Sequence, residues 1–258
     1  HLRESDFEKP QLSIEETTAE DEKFGVVGAL AQLVEREGLE DTDLLVVAGD
    51  NLISFGIDDF IDAFEDHGAA TIAAYDVGSL EKATEYGVVE LDGDRVVDFQ
   101  EKPDDPTSTL VSIACYAFPA EDIRFEEYLE AGNNPDEPGW FVQWLVDNDE
   151  VWAYSFEEAW FDIGTPESYL EAVAWELDGE SRVADSATIE NAEVGANVHV
   201  GEGAEVLDST LERSVVFPET TIRDCELRDS IIDRDTHLES LDLGGALIGA
   251  HTTIANGE

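Results

Sequence analysis

The sequence predicts two parts: an α/β domain built on a doubly wound, mostly parallel sheet, then a left-handed parallel β-helix. Three observations carry this. Short apolar runs alternate with helix-period segments up to about residue 179, several of those runs end in an aspartate or glutamate, and beyond Ser181 valines recur every six residues. The expected domains are therefore residues 1–179 and 180–258.

Leu30, Leu33 and Val34 mark a first helix. Leu44-Leu45-Val46-Val47-Ala48 is a continuous apolar run, the pattern of a buried parallel strand, and it delivers Asp50 to the strand's carboxyl end, where open α/β sheets bind ligands. Ile57, Phe60, Ile61 and Phe64 give a helix closing at Gly68, and residues 70–75 return as a strand. Residues 86–91 and 95–103, joined by Asp92-Gly93-Asp94, read as a hairpin whose second strand ends in Glu101-Lys102. Residues 109–118 form a further buried strand. Helices over 123–129 and 141–146 follow, separated by turn formers at 132–135 and at Glu137-Pro138-Gly139. Trp140, Trp144 and Trp152 read as core or interface aromatics. A last helix through Leu170, Val173, Ala174 and Leu177 is opened by Thr165 as N-cap and Pro166 at its first position, and stops at Asp178-Gly179.

Val194, Val200 and Val206, with Gly195 and Gly201 between them, define a hexapeptide step that continues, with slips, to Ile254. About six or seven short turns would stack into a triangular prism, and such coils favour association with a second copy. His199, His237 and His251 lie here; they read as surface histidines on coil corners, with a hexapeptide acyltransferase as the weaker alternative.

Composition narrows the classes. In 258 residues, 42% apolar and 9% aromatic side chains suffice for real cores. The net charge is -50, from 63 acidic against 13 basic residues, so there is no basic stripe to bind nucleic acid. Such a surface suits concentrated salt, where the Debye length shrinks to about 3 Å and carboxylate repulsion is screened. Cys115 and Cys225, far apart, fit reduced thiols in a cytoplasm. No apolar stretch approaches the roughly 20 residues of a membrane span, and the acidic start has no signal-peptide character.

Gly49-Asp50-Asn51, Glu101-Lys102-Pro103 and Phe161-Asp162-Ile163-Gly164-Thr165-Pro166, in this order and followed by a repetitive tail, resemble the sugar-1-phosphate nucleotidyltransferases, or nucleotide-sugar pyrophosphorylases. The resemblance implies a Rossmann-like fold and Mg²⁺-dependent joining of a nucleoside triphosphate to a sugar 1-phosphate, with dTTP or UTP and glucose 1-phosphate favoured. It implies Asp50 and Asp162 as metal ligands, Glu101 on the sugar hydroxyls, Lys102 on the sugar phosphate, and Gly87 where backbone approaches the sugar. Phe24-Gly25-Val26-Val27-Gly28-Ala29-Leu30 resembles the base-contacting segment, so Gly25, Gly28 and Asp50 are the nucleotide-binding candidates. Two departures stand out: Val26-Val27 replaces small and polar residues, and on the sugar-binding strand Ser112 and Ala114 replace the usual Asn and Gly. The family's first strand and its Gly-rich triphosphate loop have no counterpart before Asp50, and the chain starts at His1 and contains no Met. The expectation is an N-terminally truncated, halophilic member, short of roughly 60 residues and inactive as it stands. A non-catalytic regulatory or assembly subunit of the same family is the alternative.

Overall fold

The computed structural model describes Ser13 and residues 24–256. The chain divides into two compact units, one of His1–Gly49 with Ser54–Ala159 and one of Asp50–Ile53 with Trp160–Glu258. The division falls earlier than residue 179 because helix α6 (Pro166–Leu177) packs on the β-helix, with Leu170, Tyr169 and Val173 against Val215, Ile231 and Phe217.

The first unit holds helices α1 (Gly25–Glu37), α2 (Ile57–His67), α3 (Leu80–Ala83), α4 (Phe125–Glu130) and α5 (Pro138–Asn148). Its strands are β1 (Leu44–Val47), β3 (Ala70–Asp76), β4 (Gly87–Asp92), β5 (Arg95–Glu101), β6 (Leu110–Phe118) and β7 (Val151–Phe156); β2 (Asn51–Ile53) belongs to the second unit. The six strands form one sheet in the order β1-β6-β3-β7-β5-β4. The pairings make β1, β3, β4 and β7 run one way and β5 and β6 the other, with β3–β7 a parallel neighbour pair. Side chains alternate across β7: Val151 and Ala153 join the core with Phe125, Phe141 and Leu145 of α4 and α5. Trp152 and Tyr154 meet α2 instead, through the His67–Trp152 stack at 4.3 Å and the Phe60–Tyr154 edge contact at 5.9 Å. Helices therefore cover both faces, the doubly wound arrangement.

Three local expectations change. The run at 44–48 is not a buried parallel strand: β1 pairs antiparallel with β6 alone among the described residues, and Leu45 and Val47 are 44% and 43% exposed. Glu137-Pro138-Gly139 is not a separating turn but the start of α5, with Glu137 as N-cap and Pro138 at the first position, where its missing N–H costs nothing. Trp140 is exposed, whereas Trp144 lies under the Arg124 guanidinium, 4.6 Å from the ring centre.

The second unit adds β8 (Trp160–Asp162), antiparallel to β2, then α6 and a three-sided parallel β-helix. Helix α6 has the expected N-cap: Thr165 and Ser168 form a reciprocal capping box. In the β-helix the step is not a pure hexapeptide. Val200, Val206, Leu211, Val216, Ile222, Leu227, Ile232 and Leu238 all point inward with 0% exposure, in a repeating six-five-five rhythm. One full coil is thus sixteen residues, as in the stack Val200, Val216, Ile232, Ile248. The first coil has seventeen. The corners turn through left-handed backbone at Asn191, Asp208, Asp224 and Ser240, at Asn197, Arg213 and Asp229, and at Glu219, Asp235 and His251. Buried hydroxyls step up the coils in register. Ser230 Oγ donates to Arg228 O at 2.7 Å and accepts from Ala246 N at 3.1 Å, while Ser230 N donates to Ser214 Oγ at 3.2 Å. Of the three histidines, His251 sits on a corner, whereas His199 and His237 lie on the strands His199–Val200 and His237–Glu239.

Candidate active site

In the first unit, strand register assembles three of the expected residues, and a fourth, Lys102, follows in the chain. Gly87 opens β4 and stands opposite Glu101 of β5 on one side and Ser112 of β6 on the other. Gly87 has no side chain to cover the Glu101 carboxylate; a Cβ there would come within 2.9 Å of Glu101 Oε2 and would strike the Phe99 ring. Glu101 itself is 9% exposed. Its backbone N–H donates to Gln143 Oε1 of α5 at 3.0 Å, and its carboxylate lies against Gly139, where a Cβ would overlap it. Burial, reinforced by the negative charge of Glu137 and partly offset by Lys102, pushes the Glu101 carboxyl up to about 7.

Ser112 is buried and its hydroxyl donates to Ile113 O at 3.5 Å, while the Tyr116 phenol is held protonated by burial and by the Glu101 charge. Lys102 follows Glu101 in left-handed backbone, φ 45°, the one non-glycine residue of the first unit's described part with positive φ. Its N–H donates to Tyr86 O at 3.0 Å, and its ammonium donates to Glu137 Oε1 at 2.6 Å.

Gly25 and Gly28 both belong to α1. Gly25 adopts φ +70° because the chain there presses on the 132–137 loop: a Cβ would overlap the Pro135 carbonyl, which also accepts from Val27 N at 2.9 Å. Gly28 is buried. The glycine spacing seen in the sequence therefore has a packing use at Gly25.

The two aspartates belong to the second unit. Asn51 of β2 stands opposite Asp162 of β8, and Asp50 O accepts from Ile163 N at 2.8 Å, so the two residues flank one short antiparallel ladder. Asn51 Nδ2 donates to Asp50 Oδ1 at 3.1 Å, while Asn51 Oδ1 accepts from Trp160 Nε1 at 2.7 Å. Asp50 is exposed and Asp162 partly so. Two accessible carboxylates fit a hard cation such as Mg²⁺, which binds through one or two carboxylates and keeps several waters. No group of three or more His, Cys, Asp or Glu able to hold a metal occurs among the described residues, so a site requiring a full protein cage is not indicated.

Sequence reasoning missed Glu137, Gly139, Gln143 and Trp160, which act on Lys102, Glu101 and Asn51 through the fold and carry no spacing signal. Cys115 and Cys225 are buried and free, and burial pushes the Cys115 thiol up to about 12, which excludes a ready thiolate there. No helix among the described residues is long and apolar enough to cross a membrane.

The architecture defines an α/β protein with a β-helical extension, carrying acidic groups and a lysine at its strand ends. A family model described as nucleotidyl transferase matches residues 2–178, and the chain belongs to that family, whose members transfer nucleotidyl groups.

Proposed function

We propose that the protein joins a nucleoside triphosphate to a sugar 1-phosphate in the presence of Mg²⁺, releasing pyrophosphate, with glucose 1-phosphate and dTTP or UTP as the favoured pair. The observation that carries this reading is the alignment of Gly87, Glu101 and Ser112 on three paired strands, with Lys102 next in the chain. A carboxylate accepts hydrogen bonds from sugar diols and an ammonium neutralises a phosphate.

In this reading a sugar phosphate oxygen attacks the α-phosphorus, the bond from that phosphorus to the bridging oxygen of the β-phosphate breaks, and pyrophosphate leaves. No covalent enzyme intermediate is needed. Asp50 and Asp162 would hold Mg²⁺, which when bound neutralises charge on the reacting phosphates. Asn51, fixed by Trp160, orients Asp50 for this role. Lys102 anchors the sugar phosphate, Glu101 and Ser112 orient the sugar, and Gly25 and Gly28 flank the nucleotide base. We further read the protein as cytoplasmic, salt-adapted and homo-oligomeric, partly through the β-helix, where Leu247 is 62% exposed.

The deciding experiment is pyrophosphate release by the protein at its natural length in multimolar KCl with Mg²⁺, pairing UTP, dTTP, ATP, GTP and CTP with glucose 1-phosphate and mannose 1-phosphate. Release is expected to fall by roughly 100-fold or more in Asp50→Ala and Asp162→Ala. Absence of release with every pair, from protein shown to be folded, would overturn the reading in favour of a non-catalytic subunit.

A further inference from the structure

The ammonium assigned above to the sugar phosphate already has a partner. Lys102 Nζ lies 2.6 Å from Glu137 Oε1. Glu137 comes from the far end of the 132–137 loop, which α1 clamps through the Val27 N to Pro135 O hydrogen bond, so its presence beside Lys102 is set by the fold.

Glu137 is also the N-cap residue of α5, yet it makes no side-chain capping hydrogen bond. The N-cap side chain of this eleven-residue helix is thus turned to Lys102 instead of to the helix end, where the Glu101 carboxylate lies against Gly139. Glu101 places a second carboxylate at the same corner.

We infer that Glu137 is a positioning residue, a latch that holds Lys102 Nζ until the phosphate of a sugar 1-phosphate displaces it. This inference rests on the function proposed above. The pair is suited to exchange: the two side chains are 45% and 41% exposed, and exposed ion pairs are weak and yield to a better-charged competitor. A phosphate monoester, close to dianionic at neutral pH, is such a competitor.

Calorimetric titration tests it at one fixed KCl concentration, with glucose 1-phosphate, inorganic phosphate and glucose as probes. The proteins are the wild type, Glu137→Gln, Glu137→Ala, Lys102→Gln and the Glu137→Gln/Lys102→Gln double variant, each checked for native circular dichroism. Both Glu137 variants are expected to bind glucose 1-phosphate and inorganic phosphate roughly two- to fivefold tighter than wild type. The gain should vanish in the Lys102→Gln background and be absent with glucose. Unchanged or weaker phosphate binding in folded Glu137 variants, alongside measurable wild-type binding, would overturn the latch and leave the proposed function standing. No wild-type binding of glucose 1-phosphate or inorganic phosphate would remove the sugar-phosphate reading, and the latch with it.

Discussion

Burial and the neighbouring Glu137 push the Glu101 carboxyl up to about 7, so the folded chain holds a proton that an unfolded chain, with an ordinary carboxylate near 4.3, releases. Between those values the native state binds more protons, and stability falls as pH rises through the window, with the penalty complete above about 7. Glu101→Gln is therefore expected to unfold at a higher temperature than wild type at pH 8, by on the order of 2 to 3 kcal/mol, and to match it near pH 4. A pH-independent difference in calorimetric melting would refute this. Gly139→Ala separates two opposing effects. Alanine at an exposed helix site stabilises by up to about 1 kcal/mol over glycine, but here the added methyl overlaps the Glu101 carboxylate, and overpacking costs about 1–3 kcal/mol. A lowered midpoint in denaturant is expected; a raised one would show that the carboxylate moves aside freely. Gly87, Glu101, Lys102 and Ser112 were legible because each lies in a short motif or on a recognisable strand. Glu137 was not: it meets Lys102 across thirty-five residues, and no local pattern encodes that meeting.

Elements were legible in type more than in neighbourhood. Apolar spacing located α1, α2 and α6, and the Thr165–Pro166 pair fixed the start of α6 because capping chemistry is local. The apolar run of β1 was misread because a sequence of Leu and Val says that both faces meet apolar groups or air no polar ones, without naming the partner strand or its direction. In the β-helix the six-residue step was visible, while the two five-residue steps were hidden, since an inward Leu is indistinguishable in sequence from a slip. Ser230→Ala would leave Arg228 O and Ala246 N–H without their buried hydroxyl partner. It is expected to cost about 1–3 kcal/mol in the unfolding of the second unit, measured by denaturant titration. Arg213 joins Glu167 of α6 to Asp229, with both contacts at 2.7 Å and the guanidinium held firmly charged by them. Arg213→Ala should accordingly raise hydrogen exchange along α6; exchange confined to the coil corner would place the clamp elsewhere.

At the scale of the molecule, a net charge of -50 on 258 residues repels itself at every distance that salt does not screen. Circular dichroism on dialysis from multimolar to millimolar KCl is expected to show loss of structure, and an unchanged spectrum would count against salt adaptation. The sixteen-residue coil bears on how the gene can change length. A deletion of residues 216–231 would splice Val215 to Ile232, the ladder partner of the lost Val216, and the remaining inward residues would stay in phase. Six residues removed from the same stretch would instead take out one side of a coil and shift every later strand onto a different ladder. Forty-eight nucleotides, not the hexapeptide's eighteen, are thus the smallest edit that this part of the reading frame absorbs with every ladder kept in its own stack.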